Sequence, residues 1–342
     1  MGAEVMLSSL LVQEPQQARI DLSVFHQEWW LEVARRFPGF CELRVLDGNH
    51  VVGRLPFVRW RNRLGLAFGH DLYWAHLGGP VVEQGLSDSE KRKVIRSLVA
   101  QLPRRTTLGF VCDTTLDYAQ IVRDAFVEAG FEHSTQITYV RPPGERDVLD
   151  ERKRKHRGHI KRAAKYLDCV DITPSEFTEF LETNLKARGK QSYAPLGMLP
   201  TLIEEALRRG CGRIIAAKPR AAALGERPLP YDAAIAYVWD RRRCYYWLST
   251  HRTASAENVS DKPHPDAVKL LMVTAMEHAQ AMNLIFDADG VVSPGADHLY
   301  RSILGLSTVE RRDVFRRSST LERIYQKSRI SLLQRISTSP AV

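Results

Sequence analysis

A mixed α/β fold built as two tandem halves is predicted by three features of the sequence. The stretch from Cys244 to Gly290 reads as strand, loop, helix and strand, and it ends on Asp287 and Asp289 beside a glycine. The order helix, strands, helix, strand, helix, strand runs through the first half and recurs in elaborated form in the second, without a repeat at residue level. Between the two, Pro142-Pro143-Gly144 breaks the chain. The expected organisation is a domain over 1–144, a second over 145–320, and a helical tail over 321–342.

The totals agree with this division. A chain of 342 residues, 44% hydrophobic and 26% charged, can bury two substantial cores. No apolar run approaches the roughly 20 residues of a spanning helix. MLSSLLV lacks a basic flank and is followed by polar EPQQAR, so no signal peptide is read and the cytoplasm is expected. Cys41, Cys112, Cys169, Cys211 and Cys244 are scattered and odd in number, as reduced thiols would be. The 11 histidines form no ligand-spaced cluster, so no metal is expected. A net charge of +9 favours an anionic partner such as RNA, a nucleotide-linked substrate or a phosphorylated carrier.

In chain order, Asp21 or Ser23 can cap a helix carrying Phe25, Trp29, Trp30, Val33 and Phe37, which Pro38-Gly39 stops. CELRVL and VVGRLPFVRW flank Asp47-Gly48-Asn49 as a hairpin, with Pro56 marking an edge or bulge. LGLAFG is a short strand before the LGGPVV loop. Ser87-x-x-Glu90 opens an amphipathic helix. TLGFVCD, LDYAQIVRDAFVEAG and FEHSTQITYV then read as strand, helix and strand.

The second half begins with the most basic segment, ERKRKHRGHIKRAAKYL. As a helix it places His156, Ile160, Ala163, Ala164 and Leu167 on one side and Arg154, Lys155, Lys161, Arg162 and Lys165 on another, with Gly158 as its weak point. DCVDITP reads as a strand, SEFTEFLETNLKARG as a helix capped by Ser175, and LPTLIEEALRRG as another helix. GRIIAAK, DAAIAYVWD and CYYWLST are successive strands, the last two joined by Arg241-Arg242-Arg243. The loop from His251 to Pro265 precedes a helix with Val268, Leu271, Met272, Ala275, Met276 and Ala279 at helical spacing. After LIFDADG come a short helix, ADHLYRSILG, and a strand, VERRDVFRRSS.

Several local patterns occur in a particular order. They are Trp29-Trp30 in an early helix, the strand pair from Asp47 to Arg59, and the LGGP turn Leu77 to Pro80. RxxIKRAxK from Arg157, the LLxxxAMxxA helix from Leu270, and Phe286-Asp287 with Gly290 before Leu299 to Gly305 complete the set. From about Phe25 to Ser318 the chain resembles the tandem-GNAT acyltransferases typified by the Fem-type (FemAB-like) aminoacyltransferases. The resemblance implies two GNAT-like domains packed in tandem, no metal or redox cofactor, and transfer of an acyl or aminoacyl group to an amine of a small molecule, amino sugar or peptide. It implies aminoacyl-tRNA or acyl-CoA as donor co-substrate. The stretch VSDKPHPDAVK lacks the glycines of a pyrophosphate loop, which with the basic charge places aminoacyl-tRNA slightly ahead.

Such chemistry requires a proton acceptor, oxyanion donors and an anion-binding surface. Asp287, Asp289, His251 and Tyr246 are the candidate catalytic residues. Arg157, Lys161, Arg162, Lys269 and Arg301 are the candidate donor or anion contacts. The alternative reading is a non-catalytic nucleic-acid-binding protein that uses the basic helix over 152–165.

Overall fold

In the computed structural model, residues 23–144, 147–150, 154–220, 231–253, 262–289 and 294–324 are described. The first half runs α1 (Glu28–Arg35), β1 (Phe40–Asp47), β2 (His50–Arg61), β3 (Ala67–His70), β4 (Val81–Val82), α2 (Asp88–Ala100), β5 (Thr106–Asp113), α3 (Ala119–Glu128) and β6 (Glu132–Arg141). The second runs α4 (Arg154–Tyr166), β7 (Leu167–Asp171), α5 (Pro174–Ala187), α6 (Leu199–Arg208), β8 (Gly212–Pro219), β9 (Ala233–Trp239), β10 (Arg243–His251), α7 (Ala267–Ala281), β11 (Ile285–Asp287), α8 (Pro294–Asp297) and β12 (Ser307–Arg317). A π-turn over His298–Ile303 extends α8. Thr320 to Ile324 is helical again, and the remainder of the expected tail lies outside the described residues.

The mixed α/β fold is present, and each half has the same kernel. In each, one parallel strand pair is joined through a helix: β3 and β5 through α2, β10 and β11 through α7. The described strands form one sheet in the order β1-β2-β3-β5-β12-β6-β11-β10-β9-β8-β7, with β4 beside β2. Strands are exchanged at its centre. The last strand, β12, lies between β5 and β6 of the first half, and β6 bonds to β11 of the second.

Local chemistry explains the helix starts. Ser87 and Glu90 form a reciprocal capping box on α2. The box on α5 belongs to Thr173 and Glu176 with Pro174 in the first turn, so the cap is two residues earlier than the expected Ser175. Before α1, Ser23 precedes a 3-10 turn (Val24–His26), and Gln27 occupies the cap position; Asp21 lies outside the described residues. Pro56 lies opposite Glu42 on edge strand β1, in the gap left between β3 and β4 on the other side of β2.

Three buried clusters support the sheet. One joins the halves: Trp29, Trp30, Leu72, Trp74 and Leu77 of the first half pack with Phe177, Met198, Leu202, Tyr245 and Trp247 of the second. A second lies under α4 and α7, and the third beneath α2 and α3. Helix α7 is buried on more sides than an amphipathic surface helix: Leu270, Leu271, Met272, Val273, Ala275 and Met276 are all inside.

Candidate active site

The loop that follows β3 crosses from the first half onto the second. Its anchor is Trp74, at φ 66°, a conformation that a bulky residue holds only when its surroundings fix it. The indole N–H of Trp74 donates to the Pro195 carbonyl at 3.1 Å, and the Trp247 indole donates to the Trp74 carbonyl at 2.7 Å. The loop closes on the LGGP turn, whose glycines have different steric reasons. A Cβ on Gly78 would sit 1.7 Å from the Asp71 carboxylate, and one on Gly79 (φ 84°) would sit 2.3 Å from the Cys112 sulfur. Asp71 itself accepts from Val111 N at 2.7 Å. Burial raises its carboxyl to about 7, opposed by hydrogen bonds from the Val111 and Gly79 backbone and by the charge of Arg312.

This loop brings His76 to the end of β11. His76 Nδ1 lies 3.2 Å from Asp289 Oδ2 but makes no hydrogen bond of good geometry and is buried. Desolvation lowers the His76 pKa, with Asp289 opposing and Arg312 adding to the effect, so the ring is neutral near pH 7. Asp289 is ion-paired with Arg312, whose Nε and Nη2 are buried without a partner among the described residues. Tyr246 and Tyr300 meet edge to face with centroids 6.5 Å apart. Burial pushes the Tyr246 hydroxyl to about 12, which keeps it a proton donor. The Tyr300 hydroxyl is also raised, by burial and then by Tyr246 and Asp289.

Beneath this cluster lies a more fully bonded one, in which Arg311 Nε alone is without a partner among the described residues. A β-bulge between Glu310 and Arg312 places two successive arginines in the interface. Arg311, wholly buried, donates to Asp287, to Asp113 at 2.9 Å and to the Tyr245 hydroxyl at 3.4 Å. Asp287 also accepts from the Thr138 hydroxyl and from Asp289 N at 3.0 Å. Both carboxylate oxygens of Asp287 are therefore bonded, and the carboxylate is wholly buried.

The sequence candidates are distributed as follows. Asp289 and Tyr246 lie in the region of His76 and Arg312, with Asp287 directly below. His251 is the exposed last residue of β10, its carbonyl bonded by Arg188. Lys269 pairs with Asp266 at the start of α7. Arg301 bonds Asp297 at 3.2 Å and lies over the Tyr139 ring. Arg157 pairs with Asp150 at 3.1 Å, whereas Lys161 and Arg162 point outward from α4 with no ion pair among the described residues. His76 and Arg312 were not among the candidates. His76 directly precedes the LGGP turn, and Arg312 breaks the alternation of VERRDVFRR, so a local signal existed for each. Their meeting depends on strand exchange, which leaves no spacing signature.

The chain shares its fold with FemX. The match has a TM-score of 0.60 at 11% identity and covers 89% of this chain and 94% of FemX. A C-terminal domain from Agrobacterium fabrum, of a protein named as a lysylphosphatidylglycerol synthetase, matches with a TM-score of 0.53 at 10% identity over 88% and 91% of the two chains. A conserved protein of unknown function from Bacteroides thetaiotaomicron gives 0.50 at 10% identity over 84% and 88%. No family model matches the chain, and no curated protein sequence matches it. The fold is thus shared with these structures at 10–11% sequence identity.

Proposed function

We propose that the protein transfers an acyl or aminoacyl group from an activated donor to the amine of a small molecule, amino sugar or peptide. The observation that carries this reading is the buried Nε and Nη2 of Arg312, without a partner among the described residues, beside His76 and Asp289 in a fold shared with FemX. A buried donor or acceptor without a partner costs about 1–3 kcal/mol, so such atoms are expected where a substrate completes them. Neutral His76 takes the proton from the attacking amine. Arg312 Nε and Nη2 donate to the oxyanion as the tetrahedral intermediate forms. Collapse returns the proton from His76 to the departing oxygen or sulfur of the donor. Asp289 orients both side chains, Tyr246 and Tyr300 wall the site, and Asp287 positions β11 through Arg311.

Aminoacyl-tRNA is the favoured donor over acyl-CoA. At the start of α7, buried Asp232 accepts from His264 N at 2.8 Å, and Asp266 is held by Lys269 and His159. At the start of α2 stand Asp88 and Glu90. Asp266 at the N-cap of α7 and two carboxylates in the first turn of α2 oppose a pyrophosphate at either helix start through the dipole. Helix α4 instead presents Lys155, Lys161, Arg162 and Lys165 outward with no ion pair among the described residues, a surface suited to a phosphate backbone.

The deciding experiment is transfer from a charged tRNA pool or from acetyl-CoA to an amine panel, with wild type and His76→Gln. Loss of about 10²-fold or more in turnover, with donor-induced thermal stabilisation retained, is the expected outcome. Full turnover in His76→Gln would sink the base assignment, and stabilisation by CoA alone would reverse the donor preference. The exposed basic face of α4 also supports a second reading, a nucleic-acid-binding protein without catalysis. It predicts RNA affinity that falls steeply with salt, no transfer with any donor, and no response to His76→Gln.

A further inference from the structure

Arg243, at the start of β10, has hydrogen-bonding capacity that the described residues leave unused. Its guanidinium makes no hydrogen bond to them, and its nearest carboxylate, Asp287, is 4.0 Å away and already bonded to Arg311. The side chain is only 13% exposed. Burial and the neighbouring Arg311 lower its pKa, the sign of a cation short of partners. The Arg243 nitrogens are not among the fully buried ones, so an acceptor entering from solvent can reach them.

The guanidinium faces a cavity. A narrow pocket of about 40 Å³ is lined by Arg243, Asp113, Asp240, Tyr245 and His26, with Gly78 of the LGGP turn on its wall. Past Thr115, Leu116 and Arg242 it adjoins a wider groove of about 430 Å³ lined by Gln84, Gly85 and Asp117. His26 in the narrow pocket is 5% exposed, and its Nε2 lacks a well-formed hydrogen bond. Asp240 is already committed to Arg242 N, Arg243 N and the Tyr245 hydroxyl, and Asp113 to Arg311 and Thr115. The unfilled capacity on this wall is therefore for an acceptor.

We propose that the pocket is a binding site for a carboxylate-bearing ligand, with the carboxylate on Arg243 and the rest of the ligand in the outer groove. Size and charge define the class. A volume of about 40 Å³ has room for a few water-sized groups, as a planar carboxylate requires. Asp113 and Asp240 on the same wall repel the second charge of a phosphate, while one carboxylate matches one guanidinium bidentately. The polar groove beyond suits an amino acid or a short peptide ending in a free carboxylate. This site does not depend on the transfer reaction proposed above, since none of its argument uses His76 or Arg312.

The test compares alanyl-alanine, its C-terminal amide and inorganic phosphate by calorimetry and thermal shift, on wild type and Arg243→Gln. The free-carboxylate dipeptide is expected to bind at least tenfold more tightly than the amide, phosphate is expected to bind no better than the amide, and Arg243→Gln is expected to abolish the difference. The unliganded Tm of Arg243→Gln should not fall, because the arginine lacks internal hydrogen bonds to lose; a guanidinium serving only the fold would lower it. Equal binding of acid and amide, no binding of either at millimolar concentration, preference for phosphate, or an undiminished preference in Arg243→Gln would each overturn the proposal. The wild-type comparison decides the matter even if the variant does not fold.

Discussion

Arg311 and Arg312 are neighbours on β12, buried at 0% and 6% exposure, yet they serve opposite ends. Arg311 is bonded through both terminal nitrogens to Asp287, Asp113 and Tyr245, and so ties three strands from two halves together. Arg312 reaches Asp289 through one nitrogen and leaves two others unpartnered beside His76. The bulge between Glu310 and Arg312 allows successive side chains to enter the interface instead of alternating across the sheet. The contrast is between a joint whose guanidinium has both terminal nitrogens engaged and a site whose guanidinium has a terminal nitrogen left over; the Nε of each lacks a partner among the described residues. Burial and charge, which the two share, do not distinguish them; the bonding of the terminal nitrogens does.

The largest expected effect tests the joint. Arg311→Met leaves Asp287 charged, wholly buried and short of its principal partner, and breaking a buried pair from one side costs about 3–5 kcal/mol. Denaturant titration should show a loss of that size. A loss under about 1 kcal/mol would mean that the exchanged strands do not depend on this pair. Arg312→Met should instead spare most of the stability, because Asp289 keeps 28% exposure and can be hydrated. Its transfer rate should fall about 10²–10³-fold if Arg312 faces the oxyanion. A variant that unfolds without a specific kinetic defect would make Arg312 a second copy of the joint.

A smaller effect is expected in the loop that carries His76. In Gly78→Ala the new methyl would sit 1.7 Å from the Asp71 carboxylate, and overpacking of this kind costs about 1–3 kcal/mol. Because the same loop places His76, activity should fall further than stability. Gly85→Ala is a control that meets no neighbouring atom within 4 Å, although its φ of 95° carries a backbone cost. If both variants lose the same amount, Asp71 is not what Gly78 accommodates.

The fold was legible because its signals are local. The capping box at Ser87, the hairpin at Asp47-Gly48, the helix over α7 and the strand ending at Asp287 each follow from a few adjacent residues. The resemblance to Fem-type proteins extended those signals to a tandem architecture. The candidate site was legible only in part. Asp287 and Asp289 were singled out as a pair at a strand end, but which carboxylate is saturated depends on Arg311 and Thr138, which lie 24 residues later and 149 earlier in the chain. The exchange of β6 and β12 brings them together, and strand exchange is set by sheet topology and not by any motif. The basic face of α4 was readable from periodicity, as Ile160 and Ala163 turn inward and Lys161 and Arg162 outward.

The last expected effect concerns protons, and it tests whether the loop beneath His76 is held in a particular charge state. Burial raises the Asp71 pKa to about 7, so its stabilising contribution is complete below its ordinary value of 3.8 and is lost as pH rises through 7. His26 is the reverse case: burial lowers its pKa to about 4, so its contribution is complete above 6.5 and is lost as pH falls through 4. Between about pH 4 and 6.5 the two slopes oppose, and the wild type should show little net change from this pair. Asp71→Asn removes one slope, so its stability relative to wild type should climb from pH 4 to 7 and then level off. His26→Asn should show the opposite trend relative to wild type, gaining as the pH is lowered from 6.5 to 4. Parallel curves for Asp71→Asn and wild type across pH 4 to 7 would mean that the Asp71 carboxyl titrates as it does in the unfolded chain, and that the loop carrying His76 is not closed over a buried acid.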